Sequence, residues 1–127
     1  MAFYLDLEKT GSTPRILIDE EKKYMKIEGE SYHENVIEFF RVITDWLENH
    51  FEAVCDGFVF DCEMVYFNSS TAKLLLNMLL HMDDCAEDGK IITVNWIATA
   101  DNDIMIECGE DFSEDLRNVK FNLVVGN

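Results

Sequence analysis

Asn68, Ser69, Ser70 and Thr71 are the residues of this chain best suited to chemistry, and they stand at a junction. Gly57 to Tyr66 before them reads as a strand; Ala72 to about Glu87 after them reads as a helix. A helix N-terminus leaves backbone N–H groups free and turns the positive end of its dipole outward. That suits an anion, including a phosphate attached covalently to one of these hydroxyls. Asn68 is placed to cap the helix, which makes Ser69 its first residue. Plain N-capping explains the same four residues without any modification. A third possibility is a small hydrolase with Ser69 or Ser70 as nucleophile, which needs a histidine and an acid within hydrogen-bond reach.

The rest of the chain offers little competing chemistry. His33, His50 and His81 do not pair at a metal-ligand spacing, and His81 falls on a polar helix stripe, where solvation is expected. Cys55, Cys62, Cys85 and Cys108 form no CxxC, so buried free thiols fit better than a zinc site or disulfides. Asp101, Asn102 and Asp103 resemble the start of a calcium loop. Ile106 then stands where that loop needs glycine, and Phe112 where it needs glutamate. There is no Walker A or GxGxxG pattern, and no cofactor is called for.

Composition narrows the partners. The 127 residues fit a single domain, 1–127, and 48% hydrophobic content with nine Phe supplies a core. Against 26 acids stand 10 bases, a net charge of −16. Phosphate polyanions and anionic lipid are repelled by such a chain, so nucleic acid and membranes are not expected partners. Solubility alone also accounts for the charge. The N-terminus lacks a basic region followed by an apolar one, so a cytoplasmic location is expected.

The elements that must position the hydroxyls follow from periodicity. Residues 1–12 are assigned no element. Arg15–Asp19 and Lys23–Glu28 read as a hairpin around Glu20–Lys22. Glu34 to Phe51 carries apolar residues at Val36, Phe39, Phe40, Ile43, Trp46, Leu47 and Phe51, the spacing of one helical stripe. Ser31 and Asn35 are its candidate caps, Ser31 with Glu34 as a capping box. In the strand Phe58 to Tyr66, the residues Phe58, Phe60, Cys62, Met64 and Tyr66 share one face. The helix after Asn68 has a polar stripe of Ser70, Lys73, Asn77, His81 and Asp84. Its apolar sector is broadened by Leu74, Met78 and Leu80, as either a partner surface or a thicker core would require. Lys90–Ile97 reads as a strand, Asp101–Leu116 as an acidic helix and Phe121–Val125 as a last strand. The order ββαβαβαβ predicts an α/β fold with a mixed sheet and its helices mainly on one face.

Thr13-Pro14-Arg15-Ile16, Gly29-Glu30-Ser31-Tyr32 with Glu34-Asn35, Tyr66-Phe67-Asn68-Ser69-Ser70 with Lys73, and Thr93-Val94-Asn95-Trp96 together resemble the SiaC family. These are small bacterial phosphoproteins of a biofilm-regulating pathway, similar to the STAS domains of anti-sigma-factor antagonists. The likeness runs from about Thr13 to Leu123. It implies a non-enzymatic partner switch with a STAS-like fold. A Ser/Thr kinase would phosphorylate a serine at a helix start, a PP2C-type phosphatase would reverse it, and the unphosphorylated form would engage a target such as a diguanylate cyclase. Since the family's acceptor directly follows the junction Asn, the resemblance places the phosphate on Ser69. Asn68 where STAS proteins often carry Asp, and Thr71 where they carry Gly, leave Ser70 as the alternative. The implied partner surface is Asn68, Ser69, Ser70, Thr71, Lys73, Leu74 and Asn77. A purely structural oligomer subunit is the remaining alternative.

Overall fold

The computed structural model describes residues 2–126, so Met1 and Asn127 of the expected single-domain span lie outside it. Six strands form one sheet in sequence order: β1 (Tyr4–Leu7), β2 (Arg15–Asp19), β3 (Tyr24–Ser31), β4 (Val59–Phe67), β5 (Thr93–Thr99) and β6 (Lys120–Gly126). The pairs β1–β2 and β2–β3 are antiparallel, while β3 through β6 run parallel. The crossovers between the parallel strands carry α1 (Val36–Trp46), α3 (Ser69–Cys85) and α4 (Asp103–Glu114). Each crossover moves one strand in the same direction along the sheet. With one handedness they place every helix on the same face.

Burial follows that plan. Ile16, Ile18, Met25, Ile27, Phe60, Cys62, Val94 and Trp96 point under the helices and are fully or almost fully buried. Their alternates, among them Arg15, Lys26, Glu28, Asp61 and Asn95, lie half-buried on an open face. That face is knitted by polar bonds across four strands. Tyr24 Oη and Asn95 Nδ2 both donate to the Asp61 carboxylate (2.7 and 2.8 Å), and Asn122 Nδ2 donates to Asn95 Oδ1 (2.9 Å). Partial burial, then the bond to Asp61, pushes the Tyr24 phenol well above its ordinary range.

The fold class matches the expectation, with an added first strand. β1 pairs with β2 from Tyr4↔Asp19 to Leu7↔Ile16, making the order βββαβαβαβ. Four residues with no polar–apolar contrast strong enough to read account for its having no sequence assignment. Helix α1 starts at Val36, capped by the Asn35 side chain, which accepts from Glu38 N–H. Ser31 is not a cap: it ends β3, fully buried. Past Trp46 the helix widens into a π segment, Leu47–Phe51, followed by the short α2 (Glu52–Val54). Leu47 and Phe51 both lie in the core, and Trp46, Phe51 and Phe58 pack with ring centroids 5.2–5.6 Å apart.

One further expectation is corrected, and one open alternative is narrowed. His81 is not solvated on a polar stripe; its Nε2–H donates to Leu47 O (2.8 Å), at the point where α1 passes into the π segment. Nor is the broadened apolar sector of α3 a bare partner surface. Met78 is buried and Leu74 and Leu80 are half-buried, because α3 packs on α1 and the π segment as well as on the sheet. The thicker core accounts for Met78, while Leu74 still reaches a groove beside α1.

Candidate functional site

The four hydroxyl and amide residues divide into two roles. Asn68, in extended conformation, caps α3: its Oδ1 accepts from Thr71 N–H at 3.0 Å. Ser69 and Ser70 form the first turn and are exposed. Thr71 is fully buried. Its Oγ1 meets Ser31 Oγ at 2.9 Å and donates to Ser31 O at 3.3 Å. Asn68 N–H also donates to Ser31 O (3.1 Å). Ser31 thus anchors the start of α3 to the end of β3. Thr71 is removed from any surface role and holds the turn that presents the two serines. The partner-surface expectation is corrected at that residue: its hydroxyl is spent inside the core.

A β-bulge lies just before this junction. β3 and β4 pair in step as far as Gly29↔Met64, and then Glu30 faces Tyr66 and Ser31 faces Phe67. Val65 is the extra residue. An inserted residue reverses the inward–outward alternation beyond it. On β4, Phe67 therefore turns into the core and Tyr66 turns out, while Ser31 keeps the inward phase of Met25 and Ile27 on β3. The expected single face through Tyr66 ends at Met64. Tyr66 is 50% exposed, and its ring lies 6.0 Å from that of Tyr32, itself 45% exposed. This aromatic pair, which the sequence reading did not single out, lies at the strand ends from which α3 departs. Its one local signal is Gly29, beside the bulge, with a φ of +111° that few other residues adopt. Val65 O, displaced by the bulge, accepts from Asn102 Nδ2 (3.0 Å), and Asn102 also caps α4 by accepting from Met105 N–H.

The other expected surface residues follow helical spacing. Lys73 and Asn77 are exposed, with Lys73 one turn beyond Ser69. Ser70, Leu74, Asn77 and His81 recur at helical intervals on the side of α3 that faces α1. There Ile37, Leu47, Leu74, Asn77, Met78 and His81 line a groove of about 320 Å³. Ile37, at the start of α1, is 66% exposed. Of the predicted residues, Leu74 and Asn77 line this groove, and Ser69, Ser70 and Lys73 are exposed on the turns of α3 before it.

Among the described residues, no hydrogen bond joins a histidine to Ser69 or Ser70. His81 lies twelve residues after Ser69 on the same helix, roughly 18 Å along its axis at 1.5 Å per residue, and is committed to Leu47 O. His33 Nδ1 accepts from Asn35 N–H (3.0 Å), and its ring stacks on Phe39. The four thiols are unpaired. Burial raises all of them, Cys85 and Cys108 to about 11, so they are poor nucleophiles near neutral pH. Among the described residues no cluster of three or more His, Cys, Asp or Glu is arranged to hold a metal ion, and no helix is long and apolar enough to cross a membrane.

Known proteins match this arrangement over nearly its whole length. Two Pseudomonas aeruginosa structures superpose closely. One, SiaC, has a TM-score of 0.87 at 25% identity, covering 97% of this chain and 98% of the other. The second is a crystal structure of the diguanylate cyclase SiaD in complex with its activator SiaC, with a TM-score of 0.85 at 29% identity, covering 95% and 98%. A protein of Pseudomonas aeruginosa strain UCBPP-PA14, described as uncharacterized, is 28% identical over 111 residues, 87% of this chain and 88% of that protein. The family profile of the SiaC family regulatory phosphoproteins matches residues 7–126. The chain belongs to the SiaC family.

Proposed function

We propose that this chain is a non-enzymatic partner switch of the cytoplasm, a single domain that other proteins read through the phosphorylation state of Ser69. The observation that carries this reading is the division of labour at the start of α3. Thr71 and Asn68 are consumed by structure, while Ser69 and Ser70 are presented to solvent. A Ser/Thr kinase adds the phosphate, supplying its own ATP and metal, and a PP2C-type phosphatase removes it. Ser70, one residue on and equally exposed, is the alternative acceptor.

The target is a diguanylate cyclase, by likeness to the solved complex in which SiaC is the activator of SiaD. Its docking surface is Asn68, Ser69, Ser70, Lys73, Leu74 and Asn77. Phosphorylation adds roughly −1.5 to −2 charges at one point of that surface. The helix dipole returns only about 0.3–1 kcal/mol to a phosphate there. In a chain already at −16 the main consequence is outward, on the partner surface that meets the added charge. The unphosphorylated form is the one that engages the cyclase, as the resemblance to the SiaC family implies. The same charge, together with the match to a regulatory family, argues against nucleic acid or a membrane as the partner.

Binding of a diguanylate cyclase target to three versions of the chain tests this. Wild type and Ser69→Ala should bind alike, and Ser69→Asp should bind at least about tenfold more weakly, the scale of a like-charge contact at an interface. Equal binding by all three would remove charge at Ser69 as the signal.

A further inference from the structure

Strand β6 is hydrogen-bonded on one side only. The bonds at its ends fix the direction of its backbone groups. Lys120 N–H donates to Ile92 O (2.8 Å), and Gly126 O accepts from Ala100 N–H (2.7 Å). The N–H and C=O of one strand residue point the same way, and the direction alternates along the strand. Lys120, Asn122, Val124 and Gly126 therefore turn their backbone toward β5. Phe121, Leu123 and Val125 turn theirs away from the sheet, and among the described residues nothing bonds to them.

Proteins usually blunt such an edge with charge, proline, a bulge or a covering element. The opposite edge, β1, is four residues long and carries Asp6. β6 runs seven residues in unbroken register without proline or acid, its one charge being Lys120 at the start. In a chain with 26 acids, the whole stretch from Leu116 to the C-terminus holds none. Val124 and Val125 are 43% and 48% exposed along it.

We propose that β6 pairs antiparallel with β6 of a second copy of this chain, about a two-fold axis at Leu123, joining two sheets into one. The sequence of the strand is complementary to itself in that register. The outward groups meet one another, Leu123 opposite Leu123 and Phe121 opposite Val125, with these apolar side chains on the helix-covered face. Asn122 lies opposite Val124, and Lys120 opposite Gly126, so no like charges face across the junction. A foreign strand would have no need of this two-fold match. The acids Glu107, Glu110, Asp111 and Glu114 are exposed on α4, the helix packed against β6, and each copy carries a net charge of −16, so pairing competes with long-range charge rather than being assisted by it.

Sedimentation velocity on the full chain tests the proposal. A dimer is expected, and its fraction at fixed protein concentration should rise with NaCl as the screening length falls from about 10 Å at 0.1 M to about 3 Å at 1 M. Val125→Pro removes an outward N–H and leaves every β5–β6 bond in place. It should weaken the dimer about tenfold or more, since two bonds across the two-fold junction are lost. Val125→Thr should leave it unchanged. If the proline variant does not fold, amide exchange in the wild type decides the matter. Protection at Phe121, Leu123 and Val125 should grow with protein concentration, while protection at Asn122 and Val124 should not. A monomer at every salt concentration, a dimer indifferent to Val125→Pro, or outward amides whose protection ignores concentration would each overturn the proposal.

Discussion

The pair of buried hydroxyls under the serines provides a sharp test of how the site is built. Thr71→Val preserves the β-branched shape and removes the hydroxyl. Ser31 Oγ, fully buried, then loses its partner, and Ser31 O loses one of two donors while keeping Asn68 N–H. An orphaned buried polar group costs about 1–3 kcal/mol. Ser31→Ala costs less, about 0.5–1.5 kcal/mol, because Thr71 Oγ1 still donates to Ser31 O. With both changes no side-chain hydroxyl is left unpaired, so the double variant should cost less than the sum of the singles. The coupling expected for groups in contact is about 0.5–3 kcal/mol. Urea denaturation followed by fluorescence of Trp46 and Trp96 measures all four states. Thr71→Ser keeps the hydroxyl and should recover most of the loss. If Thr71→Val is neutral and the double variant is simply additive, the hydroxyls are not a buried pair. If Thr71→Val leaves stability intact but abolishes phosphorylation, Thr71 is itself the acceptor and the assignment of Ser69 falls.

Two other perturbations follow from the packing and the thiols. Gly109 lies in α4 against Trp96, where an added Cβ would come within 2.5 Å of the ring. Gly109→Ala should destabilise by about 1–3 kcal/mol through overpacking, despite about 1 kcal/mol of helix propensity in its favour. A higher urea midpoint for the variant would mean the ring can move aside. Cys85 and Cys108 have thiols raised by burial from 9.0 to about 11. The unfolded chain therefore loses these protons first as pH rises. Stability should hold below about pH 9 and fall between there and about pH 11. Over the same window half-buried Cys108 should be alkylated before the three buried thiols, as peptide mapping would show. Rapid alkylation of Cys62 at neutral pH would contradict the burial.

Much of this architecture was legible because its signals are local. The stripe Val36, Phe40, Ile43 and Trp46 follows helical spacing, and β4 alternates cleanly from Phe58 to Met64. The strand-to-helix junction at Asn68 followed from cap chemistry, and the Asn68 side chain does cap α3. What escaped depends on long-range pairing. β1 forms only because β2 offers an edge. The reversal of faces at Val65 arises from register with β3, so Tyr66 was placed on the buried side and Phe67 was not. The burial of Thr71 rests on a contact with Ser31 at the end of β3, which is distant in sequence. His81 looked polar by position, yet its bond partner is the Leu47 carbonyl, at the start of the π segment. Ser69 and Ser70 could be distinguished from Thr71 in three dimensions, whereas in sequence they form one run of hydroxyls.

The most direct measurement is site mapping by mass spectrometry after the chain has been incubated with its kinase and ATP, alongside Ser69→Ala and Ser70→Ala variants. Phosphate should appear on Ser69 in the wild type and in Ser70→Ala, and be absent from Ser69→Ala. Modification confined to Ser70, or to any residue outside the first turn of α3, would contradict the account.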